Sequence, residues 1–181
     1  MKTAIVFLAD GMEECEALVT VDMLRRAGIN VITASIMKRH EVTSSHNITV
    51  IADALAEDVD YSAADAVILP GGMPGTTNLN NCELVKQQCV SFAAGRYVAA
   101  ICAAPMVLGG LGLLKGRKAT CYPGFDKYLE GAEYTGESAV TDGNIITGKG
   151  MGAAIPFSMA IITALIDAET AADIAASVMY E

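Results

Sequence analysis

A chain of 181 residues with a net charge of −9 and 52% apolar residues is long enough to bury one sizeable core as a single domain, 1–181. It is too acidic to offer the clustered Lys and Arg that nucleic-acid phosphates require. No run reaches the roughly 18 consecutive apolar residues of a membrane span, and "MKTAIVFLADGMEECE" turns acidic without a small-residue cleavage site, so neither a membrane segment nor a signal peptide is expected.

In chain order, "TAIVFLA" predicts a buried strand, and "MEECEALVTVDMLRRAGI" a helix with Ala17, Leu18, Val21 and Leu24 at three-to-four spacing and Gly28 as its stop. "NVITASI" is a β-branched strand, "HNITVIAD" alternates in part, and "AADAVILPGG" is a continuous apolar strand closed by Pro-Gly-Gly. "NCELVKQQCVSFAAG" predicts a helix up to Gly95, "RYVAAIC" a strand, and "AAPMVLGGLGLL" a helix with a proline in its first turn. The strand "KATCY" follows, then a hairpin "AVTDGNIITG" on Asp142-Gly143, an apolar helix from about Gly152 to Asp167, and a last helix in "ETAADIAASVMY". Such alternation predicts an α/β sandwich around a mostly parallel sheet.

Ligands of such sheets gather at the carboxyl ends of the strands. Three loops there carry unusual chemistry: "ADGMEECE", "PGGMPG" and "CAAP". Cys102 stands where a strand runs straight into a helix, a turn that resembles a nucleophile elbow and exposes a thiol to free amides and a helix dipole, both of which favour thiolate. A lone cysteine in an apolar run is also ordinary core packing, so position alone does not decide. Glu13, Glu14 and Glu16 open the first helix, where acidic residues complement the dipole. Glu16 falls at the border of the apolar face, and a carboxyl turned toward the core would hold its proton more tightly. The helical wheel leaves both Glu13 and Glu16 open for that part. Gly71 and Gly72 leave amides uncovered, one wall of an oxyanion hole. Tyr122 could line the same edge, and His46, in "SSHN", is expected on the surface or rim. Five cysteines without C-x-x-C spacing, with His40 and His46 the only histidines, indicate neither a disulfide framework nor a metal site. Reduced thiols and a cytoplasmic setting are the expectation.

"GMEECE", "VILPGGMPG" and "AAICAAP", followed by "KATCYPG" and "DGNIITGKGMG", resemble in order and spacing the ThiJ/PfpI superfamily, in the branch of the parkinsonism-associated protein deglycase. The resemblance runs over essentially the whole chain. It implies a flavodoxin-like three-layer sandwich and a homodimer whose active site lies close to the interface. It implies a cofactor-independent glyoxalase or deglycase acting on small reactive dicarbonyls such as methylglyoxal, with an oxidative-stress sensor or chaperone using the same cysteine as the alternative. It makes Cys102 the reactive thiol, Glu16 the partly protonated carboxyl beside it, and Gly72 and Ala103 the amide donors. The chain departs from that branch's best-known member at Tyr122, where that member has a histidine before the proline, at His46, where it has an arginine, and at Lys149 to Ala153, "KGMGA", where it has an Arg-Gly-Pro-Gly-Thr run. Ala103 replaces the histidine that follows the cysteine in the protease-like branch, and the His-Glu pair of class I glutamine amidotransferases is absent, so both hydrolytic readings fall.

Overall fold

The computed structural model describes residues 1–180. Among them run β1 (Thr3–Leu8), α1 (Glu14–Arg26), β2 (Asn30–Ser35), β3 (Glu41–Thr43), β4 (Thr49–Ile51), β5 (Ala54–Leu55), β6 (Ala66–Leu69), α2 (Gly75–Asn81) and α3 (Glu83–Ala93). There follow β7 (Tyr97–Ile101), α4 (Pro105–Gly110), β8 (Lys118–Ala119), β9 (Glu133–Tyr134), β10 (Ala139–Asp142), β11 (Ile145–Gly148), α5 (Ala154–Leu165) and α6 (Ala168–Ser177). The main sheet is ordered β10-β11-β7-β6-β1-β2-β5, parallel throughout except for β10. This is the α/β fold expected from the alternation of elements.

Both faces of the sheet are covered, which is why its strands read as continuous apolar runs. Ala4, Val6, Leu8, Ile68, Ala99 and Ile101 pack against Ala17, Val21 and Leu24 of α1 and Phe157 and Ile161 of α5. The alternate residues Ile5, Phe7, Val67, Leu69, Val98 and Ala100 pack against Leu79 of α2, Val85 and Phe92 of α3, and Val107 of α4. Three layers result. Strand order reverses between β1 and β6, and the helices that follow these two strands leave to opposite faces. A crevice at their carboxyl ends is the geometric consequence, flanked by the loop before α1 and by "PGGMPG".

Three expectations need correction. The helix after Cys102 ends at Gly110 instead of running through Leu114, in a run with glycine, a poor helix former, at 109, 110 and 112, and Gly112 turns left-handed at φ +72°. "KATCY" forms only the two-residue β8, paired with β9 away from the main sheet. "HNITVIAD" contributes β4 to a separate hairpin with β3, while Ala54–Leu55 forms the edge strand. Among the described residues no helix is long and apolar enough to cross a membrane.

Candidate active site

Cys102 follows the last residue of β7 with φ +65°, a left-handed conformation that costs a non-glycine residue on the order of 1–3 kcal/mol. The turn has a visible effect on direction. Along β7 successive side chains alternate faces, yet Ile101 and Cys102 both pack toward the α1 layer. Hydrogen bonds hold the bend from both sides: Cys102 N–H donates to Gly148 O, and Tyr122 N–H donates to Cys102 O, both at 2.9 Å. The elbow read from the sequence is present. Its helix is not the source of thiolate stabilisation that was expected, since α4 has six residues and begins only at Pro105. The amides of Gly72 and Ala103, which face the sulfur and favour its anion, take that part.

Across from the thiol, Glu16 is 1% exposed on the inner side of α1. Gly71 N–H donates to its Oε2 at 2.9 Å, and Oε1 is buried without a hydrogen-bond partner. Burial raises the carboxyl to about 7, against the contacts with Cys102 and Gly71 that lower it. Facing an ionised Glu16, the thiol is pushed up to about 12, by burial first and then by the carboxylate's charge and hydrogen bond. With the proton on Glu16 both of the carboxylate's effects reverse: its charge is gone and its O–H donates to sulfur. The two groups therefore titrate as a pair. In the singly protonated pair, a thiolate would have two amides facing it and the Glu16 O–H, whereas a carboxylate would have one amide and a weak S–H donor, a balance that favours thiolate beside neutral acid.

Glycine at 71 is a steric requirement. A β-carbon there would lie 2.6 Å from Cys102 Cβ and 2.6 Å from Glu16 Oε2. Gly72, at φ +88°, would place one 2.2 Å from Glu13 N. The loops after β1 and β6 are locked together by Glu13 N–H to Gly71 O at 2.9 Å and Gly75 N–H to Gly11 O at 3.1 Å. Gly71→Ala is expected to separate thiol from carboxyl and to destabilise the fold by a few kcal/mol, within the range of overpacking. Thermal melting and Cys102 alkylation kinetics measure the two effects, and a variant matching wild type in both would contradict the geometry.

The structure separates the three glutamates that the wheel could not. Glu13 is the N-cap of α1, its carboxylate accepting Glu16 N–H at 2.7 Å. Glu14 lies roughly 200° around the helix from Glu16, where its Oε1 stands 2.9 Å from His46 Nδ1. Burial opposes ionisation of Glu14, but hydrogen bonds from its own backbone, His46 and Ser44 outweigh it and hold the carboxyl below its usual range. His46 thus has a partner 32 positions away that sequence spacing does not reveal. Among the described residues, Glu13, Glu14 and His46 are the one group with cation-ligand atoms within 4.8 Å of one another. Glu13 is already spent on the helix cap and Glu14 on His46. Tyr122 stands at the site edge as expected. It lines a cavity of about 450 Å³ together with Pro123, Ser138, Lys149, Gly150 and Met151, a wall the sequence reading noted only as a departure in spelling.

Fold and site together define an α/β protein with a thiol–carboxyl pair at the switch point of a parallel sheet. The match to the DJ-1/PfpI family over residues 2–164 makes the membership plain: the chain belongs to that family. A DJ-1 homologue of Arabidopsis thaliana, homolog B, is 40% identical over 96% of this chain, which spans only 40% of that relative's length. The Parkinson disease protein 7 homologue of Danio rerio is 37% identical over 99% of this chain and 98% of its own. A deglycase of Pyrococcus abyssi is 34% identical over 80% of this chain and 88% of its own. Among solved structures, a cysteine-to-alanine mutant of a DJ-1 superfamily protein from Salmonella typhimurium superposes with a TM-score of 0.94 at 36% identity over the full length of both chains. Oxidized DJ-1 of Toxoplasma gondii superposes with 0.94 at 34% identity over 99% of each chain.

Proposed function

We propose that the protein is a cofactor-independent, cysteine-dependent enzyme that converts small reactive dicarbonyls such as methylglyoxal to hydroxy acids, a glyoxalase or deglycase chemistry. The observation that carries this reading is the Glu16–Cys102 pair, one proton shared between a carboxyl at about 7 and a thiol faced by two amides. Cys102 thiolate adds to the aldehyde carbon, and the resulting alkoxide, held by the Gly72 and Ala103 amides, takes the Glu16 proton. The Glu16 carboxylate then removes the hydrogen from that same carbon as a proton, and the electron pair moves onto the neighbouring carbonyl oxygen to give an enediolate. Glu16 returns the proton to the neighbouring carbon while the hydroxyl proton on the sulfur-bearing carbon passes to the adjacent oxygen, leaving a hydroxyacyl thioester on Cys102. Water hydrolyses the thioester, releasing the hydroxy acid and restoring the thiol. One carboxyl near neutrality serves in turn as acid and base, the range in which such catalysis works best.

The pH profile tests this. kcat/KM for methylglyoxal is expected to rise with an apparent pKa no higher than about 7, as the pair loses its first proton, and to stay level to pH 9 because the second leaves only near 12. A bell centred well below neutrality would overturn the assignment.

A second reading rests on access. Cys102 and Cys82 are half-buried while Cys89 and Cys121 are fully buried, exposed Cys15 is pushed up by burial and by Glu13, Glu14 and Glu16, and Cys102 has the Gly72 and Ala103 amides facing its sulfur. Peroxide would then oxidise Cys102 first, to a sulfinate that the same amides and Glu16 O–H hold, making the site an oxidative-stress sensor. Free thiols fit a reducing cytoplasm. The groove lined by Leu18, Val19, Met23, Ile155 and Val178 offers the apolar surface that a second copy of the chain would cover.

A further inference from the structure

The cavity beside the site is larger than three-carbon methylglyoxal requires. At about 450 Å³ it falls in the range of pockets that take drug-sized ligands. Its wall is mostly apolar: the Tyr122 ring, Pro123, Met151 and Ala153. Lys149, the charged residue of the wall, has its ammonium on Gly136 O at 3.1 Å. Gly150 separates the cavity from the reacting groups with no side chain at all. A β-carbon on it would stand 3.4 Å from the Tyr122 ring and 4.0 Å from Glu16 Oε1, the buried carboxylate oxygen with no partner. The bare backbone of Gly150, itself buried, is what lies between the buried carboxyl and the cavity.

We infer that this cavity holds the substituent on the keto carbon of the substrate, and that the preferred substrates are α-oxoaldehydes carrying an extended apolar chain, methylglyoxal being a minimal member of the class. The inference rests on the dicarbonyl reading above. In that reaction Glu16 works on both the aldehyde carbon bound to sulfur and its neighbour. The neighbour's substituent is the part of the substrate directed away from the sulfur, along Tyr122, whose N–H is bonded to Cys102 O and whose ring lines the cavity with Met151. Those side chains are 52% and 56% exposed, apolar surface that a bound chain would cover.

The test is a series of 2-oxopropanal, 2-oxopentanal and 2-oxoheptanal with wild type and Gly152→Leu. A β-carbon at Gly152 meets nothing within 4 Å, so the leucine enters the cavity without forcing the backbone. In wild type kcat/KM is expected to rise about two- to fourfold for each added methylene, and in Gly152→Leu the ratio of longest to shortest substrate falls toward one. A flat series, or a ratio indifferent to the leucine, overturns the inference while leaving methylglyoxal turnover intact. A second readout does not need turnover: in Cys102→Ser, the Met151 methyl resonance is expected to shift with 2-hydroxyheptanoate and not with lactate. If wild type turns over no dicarbonyl but Met151 shifts, the proposed reaction fails and the cavity assignment stands. Neither turnover nor shift removes both.

Discussion

Cys102→Ser is expected to lower methylglyoxal turnover by about a thousandfold or more, the scale of loss when a covalent nucleophile is removed, while stability stays within about 1 kcal/mol of wild type. The separation follows from how the residue is held. Its bend is fixed by backbone hydrogen bonds to Gly148 and from Tyr122, neither of which involves the sulfur, and serine is the smaller side chain in the same space. The hydroxyl is a much poorer nucleophile than a thiolate stabilised by two amides. Product formation followed alongside a thermal melt distinguishes loss of chemistry from loss of fold. Full turnover in the serine variant would remove Cys102 from the mechanism, and the oxidation-sensor reading would then be the one to pursue.

Glu16→Gln has two expected effects of opposite sign. Activity falls by about a hundredfold to ten-thousandfold, the usual contribution of a general acid–base, because the amide can neither give nor take the proton. Stability at pH 8 rises by up to roughly 3 kcal/mol, from a carboxyl raised from 4.5 to about 7 at about 1.4 kcal/mol per unit. A raised carboxyl means that the folded chain binds the Glu16 proton more tightly than the unfolded chain does. Rising pH therefore costs stability between about 4.5 and about 7, with the full cost present above that window and none below it. Glutamine removes this cost, keeps an acceptor for Gly71 N–H, and directs an amide toward the sulfur. Melting temperatures of the two proteins should coincide near pH 4.5 and diverge by about 5–10 °C at pH 8. No difference at pH 8 would show that the Glu16–Cys102 pair loses its first proton at no cost to the fold.

Much of this architecture is legible in the chain itself. The apolar runs of β1, β6 and β7 are unmistakable because helices cover the sheet on both faces, and the Asp142-Gly143 turn marks the β10–β11 hairpin. Helix α2 is not legible. "GTTNLNN" consists mostly of weak helix formers, and the segment is helical because Asn78 Nδ2–H donates to Asp10 O and Gly75 N–H to Gly11 O, partners supplied by the tertiary fold. At the site, strand-to-helix spelling located Cys102, but only the capping role of Glu13 separates it from Glu16. The proton affinity of the thiol depends on a carboxyl 86 positions away in sequence, a distance at which no local pattern speaks.

The interlocked glycine loops divide the site into a part that resists change and a part that tolerates it. The loops at 11–16 and 71–75 meet backbone to backbone, so a β-carbon added at Gly11, Gly72 or Gly75 collides with the main chain of the other loop. Segment 149–153 borders the same carboxyl but faces open space, Gly152 having nothing within 4 Å of an added β-carbon. Heritable variation in what the protein acts upon has one permissive address. A library drawn at Tyr122 and 149–153 should yield folded proteins of altered preference, whereas one drawn at the glycine loops should yield chiefly chains that fail to assemble a site.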